Sequence, residues 1–341
     1  MKDTSILLIY TGGTIGMVKD EETGSLKPFN LDKIINYIPE LSHLNYNLEK
    51  VSFDPLIDSS DMSPKQWIEL AEIIEKNYDD YDGFVILHGT DTMSYTASAL
   101  SFILENLNKP VILTGSQLPL GVVRTDGRDN FITALEIASA KENGVPIVPE
   151  VCLYFENRLY RGNRTYKYNA ENFNAFRSVN YPLLAESGIY IRYKRKNIHK
   201  PDSKKLIVHK KLSSQIGIMK IFPGMQPSFV EAMLNAKGIK ALVLETFGSG
   251  NAFTNKWFIE LLEKAINNGL MIFNVTQCIG GSVEMGKYET SRKLKKIGLV
   301  GAVDMTTSAA VTKLMVIMGE ESDSDTIKSK FTESWAGEIT E

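Results

Sequence analysis

Continuous apolar runs alternate with amphipathic segments through the first two thirds of the chain. Runs of this kind lack the alternation of a half-exposed strand, so they predict strands that are buried on both faces of a parallel sheet. The four predicted strands are Ile6–Tyr10, Phe84–Leu87, Val111–Leu113 and Val151–Phe155.

Helical patterns lie between these runs. Ser63, Pro64 and Gln66 have the spacing of an N-cap, a proline in the first turn and a capping-box partner. A second helix is predicted to begin near Thr92. The residues that share a helical face are Trp67, Leu70, Ala71 and Ile74 in the first helix, and Tyr95, Ala99, Phe102 and Ile103 in the second. Alternating strands and helices predict an α/β, doubly wound domain.

A polar segment separates this region from a second, shorter α/β pattern. We predict a larger N-terminal domain over 1–192, a linker over 193–212 and a smaller C-terminal α/β domain over 213–341. The C-terminal pattern has strands at Ala241–Leu244 and Met271–Val275, with a helix near 256–267 between them. The tail from about residue 320 is polar and acidic apart from Phe331 and Trp335, so we expect it to be partly flexible.

The composition of the chain reduces the number of possible functions. The chain of 341 residues has a net charge of -3, which disfavours a protein built to hold nucleic acid. The basic run "YKRK" at 193–196 is interpreted as a solvated part of the linker. Its two cysteines, Cys152 and Cys278, imply neither a disulfide framework nor a metal site. The first apolar run is too short for an export signal or a membrane span, so we predict a cytoplasmic protein without membrane contact.

The stretch "IYTGGTIGM" at 9–17 places two glycines and Thr14 directly after a predicted strand. It lacks the Gly-Lys-[Ser/Thr] ending of a P-loop, and its glycines do not have the spacing of the dinucleotide fingerprint. A phosphate-binding turn is therefore disfavoured. A turn that presents a nucleophile and a purely structural turn both stay open from this stretch alone.

Three further loops resemble the first one. They are "DSSDMSP" at 58–64, "HGTDTMSYTASAL" at 88–100 and "TGSQLP" at 114–119. The last two follow predicted strands, and ligands of open α/β sheets bind beyond the carboxyl ends of the strands. We therefore expect these loops to converge on one site.

Together the motifs resemble those of bacterial type I, cytoplasmic L-asparaginases. The likeness covers nearly the whole chain and includes "TGGTIGM", "DSSDM", "KPVILTGSQLP", "RLYRGNRTYK", "GNAF", "VTQC" and "VDMT". Secreted type II enzymes share both threonine signatures but carry export signals. The resemblance implies hydrolysis of the side-chain amide of asparagine to aspartate and ammonia.

The resemblance also implies roles for individual residues. Thr14 would be the nucleophile that forms an acyl-enzyme, while Thr90, Asp91 and Lys167 would form a second catalytic group. Lys167 would pair with Asp91 and relay protons through Thr90. Backbone N–H groups near Thr90 would stabilise the oxyanion.

Substrate capture requires donors for the α-carboxylate and an acid for the α-ammonium group. The resemblance assigns the first role to Ser59 and Ser60 and the second to Asp91, with Asp61 nearby. Asn251 would reach a neighbouring active site in a homodimer or a homotetramer built as a dimer of dimers. No cofactor and no metal are expected.

Plainer readings of the same residues stay open. Ser59, Ser60 and Asp61 could only cap a helix, Asp91 could be an N-cap, and Lys167 could be a surface lysine. His88 is interpreted as structural, because no His or Cys is spaced to share a metal with it.

The sequence departs from the family pattern in two places. Residues 18–30 have the composition of a lid, but where related enzymes carry a tyrosine this chain has Ser25 or Leu26. We therefore hypothesise that Thr90 with Lys167, or a group of a neighbouring subunit, activates Thr14.

The second departure concerns an allosteric asparagine site that some type I enzymes have in the C-terminal domain. This chain keeps Thr276 and Cys278 but has Glu245 in place of an arginine, and an acid cannot bind a carboxylate. We predict no asparagine allostery there.

Two other functions stay open. One is an amidotransferase subunit acting on misacylated tRNA, which is disfavoured by the net charge and by the position of Thr14 near the chain start. The other is an amino-acid sensor that has the pocket but little turnover. The sequence does not decide between asparagine and glutamine as the preferred amide.

Overall fold

The computed structural model describes residues 4–19, 26–28, 38–43, 46–201 and 203–340. The chain divides into two compact units, Met1–Val208 and His209–Glu341. The domain boundaries predicted above stay a prediction, although both units have the expected mixture of strands and helices. None of the described helices is long and apolar enough to span a bilayer.

The first unit is built on a sheet of eight described strands, in the order β15-β14-β11-β10-β7-β5-β1-β4. The strands of this unit, in chain order, are β1 Thr4–Tyr10, β2 Met17–Lys19, β3 Leu26–Pro28, β4 Tyr46–Ser52, β5 Gly83–Leu87, β6 Leu104–Glu105, β7 Val111–Thr114, β8 Lys141–Glu142, β9 Val145–Pro146, β10 Val151–Phe155, β11 Arg158–Arg161, β12 Tyr166–Lys167, β13 Phe176–Arg177, β14 Ala185–Glu186, β15 Arg192–Tyr193 and β16 Ile207–Val208. The four predicted strands are confirmed as β1, β5, β7 and β10.

These four strands and β4 run parallel, so their carboxyl ends lie along one edge of the sheet. Every residue of β5, β7 and β10 is buried, which is why they lack polar alternation. The strands β11, β14 and β15 extend the sheet in antiparallel pairing.

Three helices among the described residues accompany the sheet: α1 Pro64–Lys76, α2 Met93–Ile103 and α3 Gly127–Ser139. Both predicted helices are confirmed as α1 and α2. The predicted capping box of α1 is present, because the backbone N–H of Ser63 donates to Gln66 Oε1 at 3.1 Å. Shorter 3₁₀ turns occur at Thr14–Gly16, Pro39–His43, Ser59–Asp61, Gly162–Arg164 and Arg195–Asn197.

The segment predicted to be a linker makes several contacts within the first unit. Arg161 forms a buried ion pair with Glu150 at 2.7 Å and also donates to the carbonyl of Asn197 at 3.0 Å. Glu150 accepts from the backbone N–H of His199 at 2.8 Å. Because buried charges need partners, this group anchors residues 197–199 to the first unit.

The second unit has a four-stranded parallel sheet in the order β17-β18-β19-β20. Its strands are β17 Ile216–Lys220, β18 Ala241–Thr246, β19 Met271–Thr276 and β20 Val300–Gly301. Its helices are α4 Pro227–Leu234, α5 Lys256–Asn267, α6 Glu289–Lys296, α7 Thr307–Glu320 and α8 Ser324–Thr332. The predicted strands and the helix near 256–267 are confirmed as β18, β19 and α5.

The expectation that the tail from about residue 320 is flexible is not met. The segment forms α8, whose Phe331 is fully buried and packs against Phe273 with ring centroids 4.4 Å apart. The Lys313 ammonium and the Glu338 carboxylate form an ion pair with neither side chain exposed. A polar tail is ordered here because its few apolar and charged groups have buried partners in the unit.

Candidate active site

The loop that carries Thr14 packs directly on the loop that carries Thr90. Gly13 has a φ of 91°, and a Cβ placed on it would lie 2.5 Å from the backbone N and Cα of Gly89. The N–H of Thr11 donates to the carbonyl of Leu87 at 3.0 Å. Only a residue without a side chain permits this approach, so the glycines of both signatures bring the two threonine loops together.

The loop at 58–64, called the third loop below, reaches the same place. A Cβ on Gly89 would lie 2.5 Å from Ser59 Oγ, and Thr92 Oγ1 donates to the carbonyl of Ser59 at 2.6 Å. Ser59 is 4% exposed, whereas Ser60 and Asp61 are exposed. The three loops therefore converge at the carboxyl edge of the sheet, as expected.

The third loop is not needed to cap the helix that follows it. Helix α1 is capped by Ser63 and Gln66, so it does not need Ser59, Ser60 or Asp61 for that purpose. Ser60 instead donates its N–H and its hydroxyl to Asp58 Oδ1, both at 2.9 Å. Asp58 therefore stabilises the turn at 59–61 by accepting both hydrogen bonds from Ser60.

Lys167 lies between Thr90 and Asp91. Its Nζ donates to Thr90 Oγ1 at 2.9 Å and to Asp91 Oδ1 at 2.5 Å. The Lys167 side chain is 18% exposed and the Asp91 side chain 62% exposed, so the pair lies at the edge of solvent. Asp91 does not act as the N-cap of α2, a position held by Thr92.

Gln117 is a residue of this group that the sequence did not single out. Its Nε2 donates to the carbonyls of Ala170 at 3.1 Å and Asn172 at 3.0 Å, in the loop that follows Lys167. Its Oε1 accepts from Thr90 Oγ1 at 3.3 Å. Turning the amide over would place its oxygen against two carbonyl oxygens, so the orientation is fixed. Thr90 therefore donates to Gln117 and accepts from Lys167.

Thr14 begins a 3₁₀ turn directly after Gly13 and is partly exposed. Its hydroxyl makes no hydrogen bond with any residue in the described part of the chain. The predicted lid over 18–30 falls largely on residues 20–25 and 29–30, including Ser25, which lie outside the described residues, and the Leu26 side chain is likewise not described. Within this segment, β2 and β3 pair in antiparallel register.

His88 is fully buried and hydrogen-bonded through both ring nitrogens. Nδ1 lies 2.6 Å from the carbonyl oxygen of Gly89, and Nε2 lies 2.9 Å from Thr96 Oγ1. Burial lowers the pKa of the imidazole to about 4. The ring is therefore neutral at pH 7.

In the second unit, the residues of the predicted former allosteric site lie at the carboxyl ends of two neighbouring strands. Glu245 of β18 accepts from Thr307 Oγ1 at 2.6 Å, in the first turn of α7. Thr276 of β19 donates to the carbonyl of Gly248 at 2.5 Å, and the N–H of Cys278 donates to Thr276 Oγ1 at 3.0 Å. Cys278 is exposed.

Asn251 lies in a turn of the second unit. It bridges to Phe247 through two backbone hydrogen bonds of 2.8 Å. Its side-chain oxygen accepts from Thr290 Oγ1 at 2.6 Å. Its predicted role in a neighbouring active site stays a prediction.

A half-buried hydroxyl, a second hydroxyl bonded to a lysine, and a carboxylate define a class of site. Groups of these kinds can serve as a nucleophile, a proton path and an acid for a cationic substrate group. The arrangement has the parts of an amide-cleaving enzyme that acts through an acyl intermediate.

Comparison with known proteins gives the family. The family model "Asparaginase, N-terminal" matches residues 5–199, and "Glutaminase/Asparaginase C-terminal domain" matches residues 215–331. The chain belongs to the asparaginase family. It is 44% identical to L-asparaginase 1 of Escherichia coli (strain K12), over 100% of this chain and 99% of that protein.

A solved structure and a more distant relative complete the comparison. L-asparaginase I from Vibrio cholerae superposes with a TM-score of 0.89 at 39% identity, covering 99% of both chains. A glutamyl-tRNA(Gln) amidotransferase polypeptide of Pyrococcus abyssi is 33% identical over 98% of this chain but only 76% of its own length. The module thus occurs in proteins with different reactions.

Proposed function

We propose that the protein hydrolyses L-asparagine to L-aspartate and ammonia, with Thr14 as the nucleophile. The observation that carries the proposal is the contact between Gly13 and Gly89, which joins the Thr14 loop to the group of Lys167, Thr90 and Asp91. Full-length identity to an L-asparaginase supports the same reaction.

The proposed reaction has two halves. Thr14 Oγ1 attacks the side-chain amide carbon and its proton passes through Thr90 to Lys167, which is in its amine form. The lysine then returns that proton to the amide nitrogen, and the carbon–nitrogen bond breaks to release ammonia. Water then attacks the ester, the carbon–oxygen bond to Thr14 breaks, and the threonine regains its proton. Lys167 already touches Thr90, which is the geometry required of a general base.

Capture of the zwitterion involves the third loop and Asp91. We propose that Ser59 and Ser60 bind the α-carboxylate, with the Ser60 hydroxyl turning from Asp58 to the substrate. We also propose that Asp91, with Asp61 nearby, binds the α-ammonium group. Asp91 is suited to this because one of its oxygens makes no hydrogen bond within the described part of the chain. Because Lys167 holds the other oxygen, the carboxylate is oriented before substrate arrives.

The test is ammonia release from L-asparagine by the wild type, by Thr14→Ala and by Thr332→Ala. Thr332 is an exposed threonine on α8 and controls for the loss of a hydroxyl. We expect release by the wild type and the control, and none above background from Thr14→Ala with an unchanged melting temperature. Release by Thr14→Ala at the wild-type rate would refute the nucleophile. Binding of asparagine without release by the wild type would favour the sensor.

The same assay with L-glutamine addresses the choice of amide. The amidotransferase relative shows that related modules serve tRNA-linked chemistry. Release from free L-asparagine that is independent of added tRNA is the result we expect. A strict requirement for tRNA would favour the amidotransferase function.

Location and assembly are proposed on narrower grounds. We propose a cytoplasmic enzyme, because the chain resembles type I enzymes and both of its cysteines are free. We propose a homodimer or homotetramer in which Asn251 faces a neighbouring site. Sedimentation velocity would test the assembly, and a monomer with full activity would overturn the role of Asn251.

We also propose that the second unit has no asparagine effector site at Glu245, Thr276 and Cys278. The Glu245 carboxylate already accepts a hydrogen bond in the first turn of α7, where an anion is favoured. A second carboxylate would meet like charge at the same place.

A further inference from the structure

A chain of hydrogen bonds with a fixed direction runs from α1 to the Thr90 loop. The Trp67 indole Nε1–H donates to Thr96 Oγ1 at 3.0 Å. An indole nitrogen can only donate. Thr96 Oγ1 therefore accepts from Trp67, and it also lies 2.9 Å from His88 Nε2.

The Gly89 carbonyl fixes the tautomer of His88. A carbonyl oxygen can only accept, so the single proton of the neutral ring is on Nδ1, and Nε2 accepts from Thr96. Nδ1–H then donates to the carbonyl oxygen of Gly89 at 2.6 Å. The ring is fully buried, so solvent does not compete for either nitrogen.

The Gly89 carbonyl and the Thr90 N–H belong to one peptide group. Because that group is planar and trans, the two point in opposite directions. Holding the carbonyl on His88 therefore directs the Thr90 N–H away from His88. The Thr90 N–H makes no hydrogen bond with any other described residue, although Thr90 is only 8% exposed.

We propose that His88 is a positioning residue, whose Nδ1–H holds the Gly89–Thr90 peptide so that the Thr90 N–H meets the oxyanion formed on the substrate amide. A preorganised donor of this kind stabilises charge that develops only in the transition state. The inference rests on the proposed amide hydrolysis. It assigns a role in catalysis to a histidine that itself touches no substrate.

The test compares two substitutions of His88. His88→Asn places an amide N–H where Nδ1 lies, and His88→Leu provides no donor. We expect His88→Leu to lower kcat for L-asparagine about 100-fold, with KM and the binding of L-aspartate changed less than about 3-fold. His88→Asn should recover at least about 10-fold of that loss, since it restores the hydrogen bond to Gly89.

Thr96→Val tests the second anchor of the imidazole without changing the shape of the side chain at 96. Removing this hydroxyl takes away the hydrogen-bond partner of Nε2, so the ring is held less firmly and kcat should fall by about 10-fold. Ser98→Ala is the control on the same helix, because it removes a buried hydroxyl that donates to the Ser94 carbonyl, and its kcat should be unchanged. Melting temperatures of all variants separate loss of fold from loss of rate.

The outcomes distinguish the two proposals. A wild type that releases no ammonia refutes the proposed function. An active wild type with unchanged kcat in His88→Leu, or with unchanged kcat in Thr96→Val where His88→Leu fails to fold, overturns the role of His88. Equal kcat in the Asn and Leu variants, both folded, also overturns it.

Discussion

Two lysine–carboxylate pairs in this protein have the same length and opposite surroundings. Lys167 and Asp91 in the first unit are 2.5 Å apart, as are Lys313 and Glu338 in the second. The first pair has side chains 18% and 62% exposed, whereas the second pair is fully buried. The two pairs also differ in whether their other donors and acceptors have partners within the protein.

The buried pair leaves nothing for a ligand. Lys313 also donates to the carbonyls of Phe331 and Glu333, and the Glu338 carboxylate accepts from the N–H groups of Trp335 and Ala336. Burial lowers the pKa of Lys313, and the Glu338 carboxylate opposes that effect. All three ammonium protons have acceptors, so the pair serves the fold.

The pair in the first unit is incomplete. Lys167 has two partners among the described residues, and one Asp91 oxygen has none. That oxygen can meet the ammonium group of a zwitterionic substrate. The comparison teaches that equal distances do not imply equal roles, because the number of unused donors and acceptors separates a binding group from a structural one.

Breaking the pair of Lys167 and Asp91 should lower the rate of hydrolysis but hardly change the stability of the fold. For Lys167→Met we expect kcat to fall on the order of 100- to 10,000-fold, because the proton path through Thr90 is lost. The free energy of unfolding should change by about 1 kcal/mol or less, since the pair is partly exposed. Lys141→Met, which removes a pair of 2.8 Å with Asp82, is the control and should keep its activity. Full turnover by Lys167→Met would remove this lysine from the mechanism.

Breaking the buried pair should do the reverse. Lys313→Met should lower the free energy of unfolding by roughly 3–5 kcal/mol, because Glu338 is left charged and buried. Activity measured well below the melting temperature should stay within about 2-fold of the wild type. Lys330→Met removes a partly exposed pair of 3.8 Å with Glu321 and should destabilise the fold far less. Equal destabilisation by the two variants, in urea titrations, would contradict the comparison.

Gln117→Met sharpens the first half of the comparison. The methionine keeps the size of the side chain but releases Thr90 and the loop at 170–172, so we expect kcat to fall about 10- to 100-fold. Gln226→Met changes an exposed glutamine in the second unit and is the matched control. Steady-state kinetics on L-asparagine would show the effect, and a kcat equal to that of the control would mean that Gln117 does not orient Thr90.

Glu245→Ala is expected to have the smallest effect. It concerns the predicted former allosteric site of the second unit, where Glu245 already has a hydrogen-bond partner. Losing the hydrogen bond to Thr307 should cost about 1 kcal/mol of stability. The rate should stay hyperbolic in asparagine concentration, with kcat within about 2-fold of the wild type. A sigmoidal wild-type curve that this substitution abolishes would show that Glu245 belongs to an effector site.

The sequence predicted the central strands and the first two helices well, because each rests on a local pattern. The polar strand β4 alternates between exposed and partly buried residues and has no continuous apolar run. The short strands β11, β14 and β15 depend on antiparallel partners that no local pattern specifies. The ordered tail was missed for a similar reason, since Lys313 and Glu338 are 25 residues apart.

The candidate site likewise could be predicted only where local patterns define it. The hydroxyl and acidic residues are recognisable in the sequence because they lie next to glycines. The remaining roles, including that of Lys167, are implied only by the resemblance. The loop at 114–119 is predicted to lie at the site, but the contacts of Gln117 within it could not be predicted, because its partners Thr90, Ala170 and Asn172 lie 27 to 55 residues away. The direction of the hydrogen bonds through Thr96 could likewise be determined only from coordinates.

The contact between Gly13 and Gly89 has a consequence for laboratory evolution. A side chain on Gly13 would meet only main-chain atoms of His88 and Gly89, so no second substitution elsewhere can make room for it. In a library that aims to change the amide accepted by this protein, every clone altered at this codon would be lost. Diversity is better directed at Ser60 and its neighbours, whose exposed side chains can vary while the crossing of the two loops stays intact.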